Sequence, residues 1–175
     1  MISGKTSRSA ARTRWNHSDM RLTDILTEDR VRVTRHQDGI KVKSEVLEAL
    51  SLLLASGTGQ AAELIHKTLT DRESLQSTGI GDGVAIPHGS LEALVTQTAA
   101  IVLCPDGVDF HSIDGRPAKI FVGVIGPRGS TGEHLRMLAR ISRLLRDGNL
   151  RDRLLEASDG TQAFDVIVEE ERGRP

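Results

Sequence analysis

The sequence predicts an α/β fold in three layers, with helices on both faces of a small sheet. Two runs of apolar and β-branched residues, 99–103 and 120–125, are each bounded by proline or glycine and are typical of buried strands. Segments with apolar residues at helical spacing lie before and after these runs, and residues 135–146 form the clearest of them. Buried strands interspersed with such helices favour a sheet that is covered on both faces.

The first half of the chain predicts a short strand and two helices. Residues 23–26 can form a capped helical turn, and residues 31–33 alternate as a strand does. Ser44 is a plausible N-cap for a helix whose apolar residues recur at helical spacing, and residues 57–59, with two glycines, end that helix. Residues 60–69 predict the second helix.

The second half predicts three further helices after the buried strands. Residues 78–90 are rich in glycine and hold one proline, so we expect a structured loop or a loop that enters a short strand. Residues 150–157 and 161–170 predict two helices that follow the helix over 135–146. The apolar face expected for the helix over 135–146 consists of Leu135, Leu138, Ile141 and Leu145.

The composition is that of one ordinary domain and excludes several functional classes. The chain has 175 residues, a net charge of −1 and only 2% aromatic residues, so neither a basic field nor base-stacking rings favour nucleic-acid binding. No apolar run approaches the ~20 residues of a membrane helix. Cys104 is the only cysteine, which excludes an internal disulfide and a zinc site of several thiolates. The cytoplasm is therefore the expected compartment.

The N-terminal residues differ from the rest. Residues 1–20 carry basic side chains among small polar residues and few apolar groups, which predicts a disordered basic tail. A basic arm that touches nucleic acid or a membrane surface is the less favoured interpretation, since solvated tails are common. Residues 21–172 are expected to form a single domain.

The segment most informative about chemistry is residues 78–89. Pro87 fixes its own backbone and lacks an N–H, so His88 cannot lie inside a helix, while Gly89 permits a sharp turn or a close contact. A histidine held in this way can act as a nucleophile. From these residues alone, a tight turn whose histidine satisfies a local hydrogen bond is the favoured interpretation. Dinucleotide binding is disfavoured because the third glycine comes one residue too early.

A second histidine lies at a predicted helix start. Ser130 and Glu133 have the spacing of a capping box, and His134 follows in the first turn of the helix. Free N–H groups and the positive end of the helix dipole gather there, so the position suits a phosphate. His134 could donate a hydrogen bond to such a group. Alone, it is more simply interpreted as a surface histidine beside a cap.

Together these residues resemble a known family. The segment Thr78-Gly79-Ile80-Gly81-Asp82-Gly83-Val84-Ala85-Ile86-Pro87-His88-Gly89 closely resembles the active-site signature of EIIA domains of the fructose, mannitol and nitrogen-regulatory class. Arg72-Glu73-Ser74, Gly107-Val108-Asp109-Phe110, Ile113-Asp114-Gly115-Arg116-Pro117 and Glu133-His134-Leu135 are similar to other parts of that family. The resemblance covers residues 22–167. His111 departs from the family pattern.

The resemblance implies a fold and a reaction. It implies a three-layer α/β/α sandwich around a small mixed β-sheet. It implies that His88 accepts a phosphoryl group on Nε2 from the phosphocarrier HPr or its nitrogen-branch counterpart NPr, and that His134 stabilises this group. Arg72, Gly89 and Glu133 are the expected phosphoryl-binding residues. Neither a metal nor an organic cofactor is expected, because transfer between imidazoles needs mainly alignment and charge neutralisation.

Three functions remain open at this point. The favoured one is a nitrogen-regulatory EIIA that signals to regulatory target proteins by its phosphorylation state. The second is a fructose- or mannitol-specific EIIA that passes the phosphoryl group to an EIIB during sugar uptake. The third, from a different class, is a regulatory binding module that is never phosphorylated.

Overall fold

The chain folds around a six-stranded mixed sheet, in a computed structural model that describes residues 20–35, 37 and 39–174. Two 3₁₀ turns, Leu22–Asp24 and Glu28–Arg30, come first among these residues. The elements that follow are β1 (Val31–Val33), α1 (Lys43–Thr58), α2 (Ala62–Leu75), β2 (Gly79–Gly81), β3 (Val84–Ala85), β4 (His88–Leu91), β5 (Thr98–Val108), β6 (Ala118–Pro127), α3 (Thr131–Leu144), α4 (Gly148–Glu156) and α5 (Gly160–Arg172). No helix in this described part of the chain is both long and apolar enough to span a bilayer.

The long strand β6 organises the sheet. One edge of β6 pairs antiparallel with β5, which in turn pairs in parallel with β1. Its other edge pairs in parallel first with β3 and then with β4, and β2 continues the sheet beyond β3. The mixed sheet expected from the family resemblance is therefore confirmed.

Helices cover both faces of this sheet, which confirms the three-layer fold. In β5, Ile101 and Leu103 join the core formed with α3, α4 and α5, whereas Ala100 and Val102 join the core formed with α1 and α2. Successive side chains of a strand point to opposite faces. A strand that is apolar on both faces therefore has to be covered on both, which explains its continuous apolar run.

Several element boundaries differ from the sequence-based predictions. α2 continues to Leu75, well beyond the predicted end at residue 69. Ser44 is not the N-cap of α1; instead the Glu45 carboxylate accepts a hydrogen bond from the backbone N–H of Val42 at 3.1 Å. Ser130 is the N-cap of α3, but its side chain makes no capping hydrogen bond, so the predicted capping box does not form.

The buried face of the helix matches the predicted one at Ile141 and Leu145, and Leu138 packs against the same core, but Leu135 does not belong to it. Met137, Ile141 and Leu144 are buried, whereas Leu135 is 59% exposed. The three buried residues lie four and three positions apart and form one stripe along the helix. Leu135 lies off that stripe, on the exposed side of α3.

The start of the described chain is fastened to α5 by a buried carboxylate. Glu171 is 1% exposed and accepts hydrogen bonds from the backbone N–H groups of Leu22 and Thr23, at 2.9 and 3.0 Å. Arg140 lies 3.2 Å from the same carboxylate. A buried charge that is paired in this way costs little. The tail predicted over residues 1–20 lies, apart from Met20, outside the described residues.

Candidate functional site

His88 lies at a break between two strands that share one edge of β6. Ala85 in β3 is opposite Phe121, and His88 in β4 is opposite Val124. Ile86 and Pro87 form the break, and the backbone of each is fixed: the N–H of Ile86 donates to Thr78, and the carbonyl of Pro87 accepts from Val124. The backbone that carries His88 is thus held from both sides.

The His88 ring has one nitrogen in a hydrogen bond, and the other has no partner among the residues that the structure describes. Nδ1 lies 2.7 Å from the carbonyl oxygen of Ile86, and a carbonyl can only accept, so Nδ1 carries a proton. In the neutral ring Nε2 then holds a lone pair. The pKa of His88 lies below its ordinary value of 6.5, chiefly because the ring is buried. The neutral form of the ring therefore prevails at neutral pH.

His134 lies beside His88. The two ring centroids are 5.7 Å apart and the ring planes are inclined by 51°. Burial, with a smaller contribution from the charge of His88, lowers the pKa of His134 to about 4. Its Nδ1 lies 3.2 Å from Oε1 of Gln97, which precedes β5. The structure therefore brings together the two histidines that the sequence placed 46 residues apart, at positions 88 and 134.

A cavity of about 490 Å³ opens in front of His88. Arg72, at the end of α2, lines it together with His88, and its guanidinium charge contributes to lowering the pKa of His88. Arg72 is held in place because its Nη1 donates to the carbonyl of Gln76 at 2.9 Å. His111 also lines the cavity. An anion bound at His88 would thus meet a fixed positive charge.

A buried carboxylate fixes the loop that leads to the site. Glu73 is 6% exposed, accepts from the backbone N–H of Thr78 at 3.0 Å, and also accepts from the Thr78 hydroxyl. Lys43 of α1 lies 2.6 Å from the same carboxylate and neutralises it. The sequence showed the Arg72-Glu73 pair but gave no reason to assign Glu73 this role.

The glycine of the histidine corner has a packing role. A Cβ at Gly89 would lie 2.6 Å from Cγ2 of Thr68, so only glycine lets α2 approach β4 this closely. The close contact predicted for Gly89 therefore exists, and its partner is a helix side chain. A side chain at position 89 would therefore require the Thr68 methyl group to move.

Glu133, in contrast, lies along a different groove. It lines that groove with Met20 and with the three arginines of α3, Arg136, Arg140 and Arg143. A carboxylate also repels an anion at short range. We therefore assign Glu133 no direct contact with a group bound at His88.

Sequence reasoning missed Gln97, the hydrogen-bond partner of His134. Gln97 precedes His134 by 37 residues and belongs to no motif. It reaches the site only because β5 and β6 pair antiparallel, which puts the residue before Thr98 next to Gly126. Only a prediction of strand register could have identified it.

The site combines a nucleophilic side chain with neighbouring groups that can hold an anion. His88 offers a neutral imidazole with an unengaged Nε2, held rigidly at the rim of a cavity. Arg72 lines the same cavity and supplies positive charge, and the ring of His134 lies 5.7 Å, centroid to centroid, from that of His88. Such a site suits attack on an electrophile followed by storage of the product anion.

Comparison with known proteins identifies relatives of this chain. The family model described as "Phosphoenolpyruvate-dependent sugar phosphotransferase system, EIIA 2" matches residues 24–170. A nitrogen regulatory protein of Pseudomonas aeruginosa is 33% identical over 89% of this chain and 99% of its own length. The fructose-specific EIIABC component of Bacillus subtilis is 31% identical over 87% of this chain, which spans only 24% of that protein.

A solved structure agrees with these sequence relatives. The nitrogen regulatory protein IIA-Ntr of Neisseria meningitidis superimposes with a TM-score of 0.75 at 28% identity, and the match covers 82% of this chain and 97% of that one.

Proposed function

Because this chain belongs to the EIIA 2 family of the phosphoenolpyruvate-dependent sugar phosphotransferase system, we propose that His88 accepts a phosphoryl group on Nε2 and carries it as phosphohistidine. The observation that carries this proposal is the hydrogen bond between Nδ1 of His88 and the Ile86 carbonyl, at 2.7 Å. This bond leaves Nε2 as the only ring nitrogen with a lone pair for attack.

The transfer step needs no separate base. The Nε2 lone pair attacks phosphorus of the donor's phosphohistidine, and the donor's N–P bond breaks with its electron pair returning to the donor ring. His88 keeps its proton on Nδ1 throughout, so its ring becomes cationic as the new N–P bond forms. The Ile86 carbonyl, which already accepts from Nδ1–H, stabilises that charge where it develops.

Two neighbours hold the transferred group. Arg72 faces the same cavity and offsets the negative charge of the phosphoryl oxygens. His134, with its ring centroid 5.7 Å from that of His88, donates a hydrogen bond to one of these oxygens. Alignment and charge neutralisation are what phosphoryl transfer chiefly requires, so the protein acts as a carrier and not as a stand-alone kinase.

The proposed donor is the phosphocarrier HPr or NPr, and the proposed physiological role is nitrogen regulation. A nitrogen regulatory protein that is 33% identical over 99% of its own length, and the structure of IIA-Ntr at a TM-score of 0.75, support this role. A phosphoryl group adds about two negative charges to the surface at His88, which lets target proteins distinguish the two states. The cytoplasmic location predicted from the sequence stays a prediction.

The alternative role is transport, in which the phosphoryl group passes to an EIIB. The observation in its favour is that this chain is 31% identical to part of a protein named fructose-specific EIIABC component. Incubation of the phosphorylated protein with fructose and mannitol EIIB domains separates the two roles. Rapid onward transfer would contradict the regulatory role.

Phosphorylation itself is tested by mixing the protein with phosphorylated HPr and, separately, with phosphorylated NPr. We expect the mass to rise by one phosphoryl group, and peptide mapping at alkaline pH to place that group on His88. His88→Ala abolishes labelling. His66→Ala is the matched control, since His66 lies in a separate groove between α1 and α2.

Two results would contradict the proposal. Full labelling of His88→Ala, with loss of labelling in His111→Ala, would make His111 the acceptor in the same cavity. Absence of labelling by either donor would favour the third function, a binding module that is not phosphorylated.

A further inference from the structure

The pair formed by Gln97 and His134 has one unsatisfied polar atom. Gln97 is 7% exposed, and Oε1 of its amide lies 3.2 Å from Nδ1 of His134. The amide Nε2 is buried and has no hydrogen-bond partner among the described residues. A buried polar group without a partner is rare in a native protein and calls for an explanation.

A half-turn of the amide offers that explanation. It exchanges Oε1 and Nε2 of Gln97 while the rest of the side chain keeps its place. The amide N–H then donates to Nδ1 of His134, and the carbonyl takes the unpartnered position. A buried carbonyl without a partner is better tolerated than a buried N–H without one.

Gly126 shows that the protein makes room for this pair. Thr98 of β5 is opposite Ile125 of β6, so Gln97 and Gly126 are the next residues along the two strands. A Cβ at Gly126 would lie 3.0 Å from Cγ of Gln97 and 3.3 Å from Nδ1 of His134. The side chain of Gln97 therefore reaches His134 across Gly126, where β6 has no side chain in the way.

The hydrogen-bond partner of His134 decides which of its ring nitrogens carries the proton. Burial lowers the pKa of the ring to about 4, so at neutral pH the ring carries a single proton. That proton lies either on Nδ1 or on Nε2. If Nδ1 holds it, Nε2 can only accept and would repel a phosphoryl oxygen. If Nε2 holds it, the ring is a donor on the side away from Gln97.

We propose that Gln97 donates a hydrogen bond to Nδ1 of His134 and thereby keeps the ring proton on Nε2, where it can be donated to the phosphoryl group on His88. This inference rests on the proposed function, because it assigns His134 a bound phosphoryl group to stabilise. Gln97 itself is a positioning residue, since it acts only through the orientation and tautomer of His134.

The first test uses the unphosphorylated protein, so it does not depend on the proposed function. Long-range ¹H–¹⁵N correlation spectra at neutral pH, assigned with His134→Gln, report which nitrogen of His134 carries the proton. We expect Nε2–H in the native protein, with an Nδ1 resonance typical of a hydrogen-bond acceptor. In Gln97→Met, which keeps the length and apolar packing of the side chain, the Nδ1 resonance shifts to that of an unbonded acceptor.

The second test uses the phosphorylated protein. Gln97→Met shortens the lifetime of the phosphohistidine about fivefold, as expected for the loss of one well-aligned neutral hydrogen bond. Gly126→Ala, which intrudes on the same contact, shortens it in the same direction.

The outcomes separate this inference from the proposed function. A proton on Nδ1 of His134 in the native protein, or an Nδ1 resonance unchanged in Gln97→Met, would overturn the inference even if His88 is phosphorylated. An unchanged phosphohistidine lifetime in Gln97→Met would do the same. Absence of phosphorylation in the native protein would defeat the proposed function, while the tautomer measurement would still decide the role of Gln97.

Discussion

Replacing His134 with glutamine is expected to remove part of the acid sensitivity of the fold. Burial lowers the pKa of His134 to about 4, whereas its ordinary value is 6.5. Between these pH values the unfolded chain binds a proton that the folded protein excludes. The stabilisation associated with the neutral ring is therefore complete above pH 6.5 and is lost as the pH falls toward 4.

The size of the effect follows from the shift. One pKa unit corresponds to about 1.4 kcal/mol, so a change from 6.5 to about 4 sets an upper bound of about 3.5 kcal/mol. His134 is only partly buried, and solvent screening reduces this value. We expect the free energy of unfolding to fall by about 2 kcal/mol more in the native protein than in His134→Gln between about pH 7 and pH 4.5.

Urea unfolding followed by far-ultraviolet circular dichroism measures this difference. The carboxylates that also titrate in this range are common to both proteins and cancel in the comparison. Equal losses of stability in the two proteins would refute the argument that His134 is held neutral by burial.

Three further predictions concern the scaffold of the site. Gly89→Ala lowers the free energy of unfolding by about 1–3 kcal/mol, because the new Cβ would lie 2.6 Å from a methyl carbon of Thr68. Thr68→Ser added to this variant removes that methyl group and restores most of the lost stability. Denaturant unfolding of the single and the double variant checks both statements. Gly160→Ala destabilises the protein by about 3 kcal/mol or more, because the new Cβ would lie 1.9 Å from the carbonyl oxygen of the first residue of β1; an unchanged thermal midpoint would contradict it. Glu73→Gln lowers the free energy of unfolding by about 1.5–3 kcal/mol, because it removes the carboxylate partner of Lys43, which keeps its hydrogen bond to the Phe110 carbonyl. It also lowers the pKa of His88 further, since the Glu73 charge raises that pKa. Urea unfolding and an NMR pH titration test the two effects, and an unchanged His88 titration would count against the second.

The sheet core was predictable because both faces of β5 and β6 are apolar. Ile101 and Val102 are neighbours that pack in opposite cores, so residues on both faces of the strand are apolar and form a continuous apolar run in the sequence. The last part of α2 was missed for the opposite reason. Its buried residue there is Glu73, and a charged residue that packs through hydrogen bonds leaves no apolar period to follow.

The strands of the glycine-rich segment could not be recognised from their own residues. β2, β3 and β4 have two to four residues each, which is too short for an alternating pattern. β3 and β4 pair with one edge of β6, and β2 pairs with β3; only the three-dimensional structure shows these pairings.

The residues of the candidate site also differ in how far the sequence could identify them. The proline and glycine beside His88 predicted a fixed turn, and the resemblance of residues 78–89 to the EIIA signature identified His88 as the candidate acceptor. The proximity of His134 depends on how α3 packs, and the contact of Gln97 depends on strand register. No pattern of neighbouring residues in the sequence encodes either relation.

The measurement that bears most directly on the central claim is ³¹P and ¹⁵N NMR of the ¹⁵N-labelled protein after phosphorylation. Phosphorus attached to Nε2 of His88, with Nδ1 of the same ring still protonated, is the predicted result. Phosphorus on Nδ1 of His88, or on any other histidine, would contradict the account.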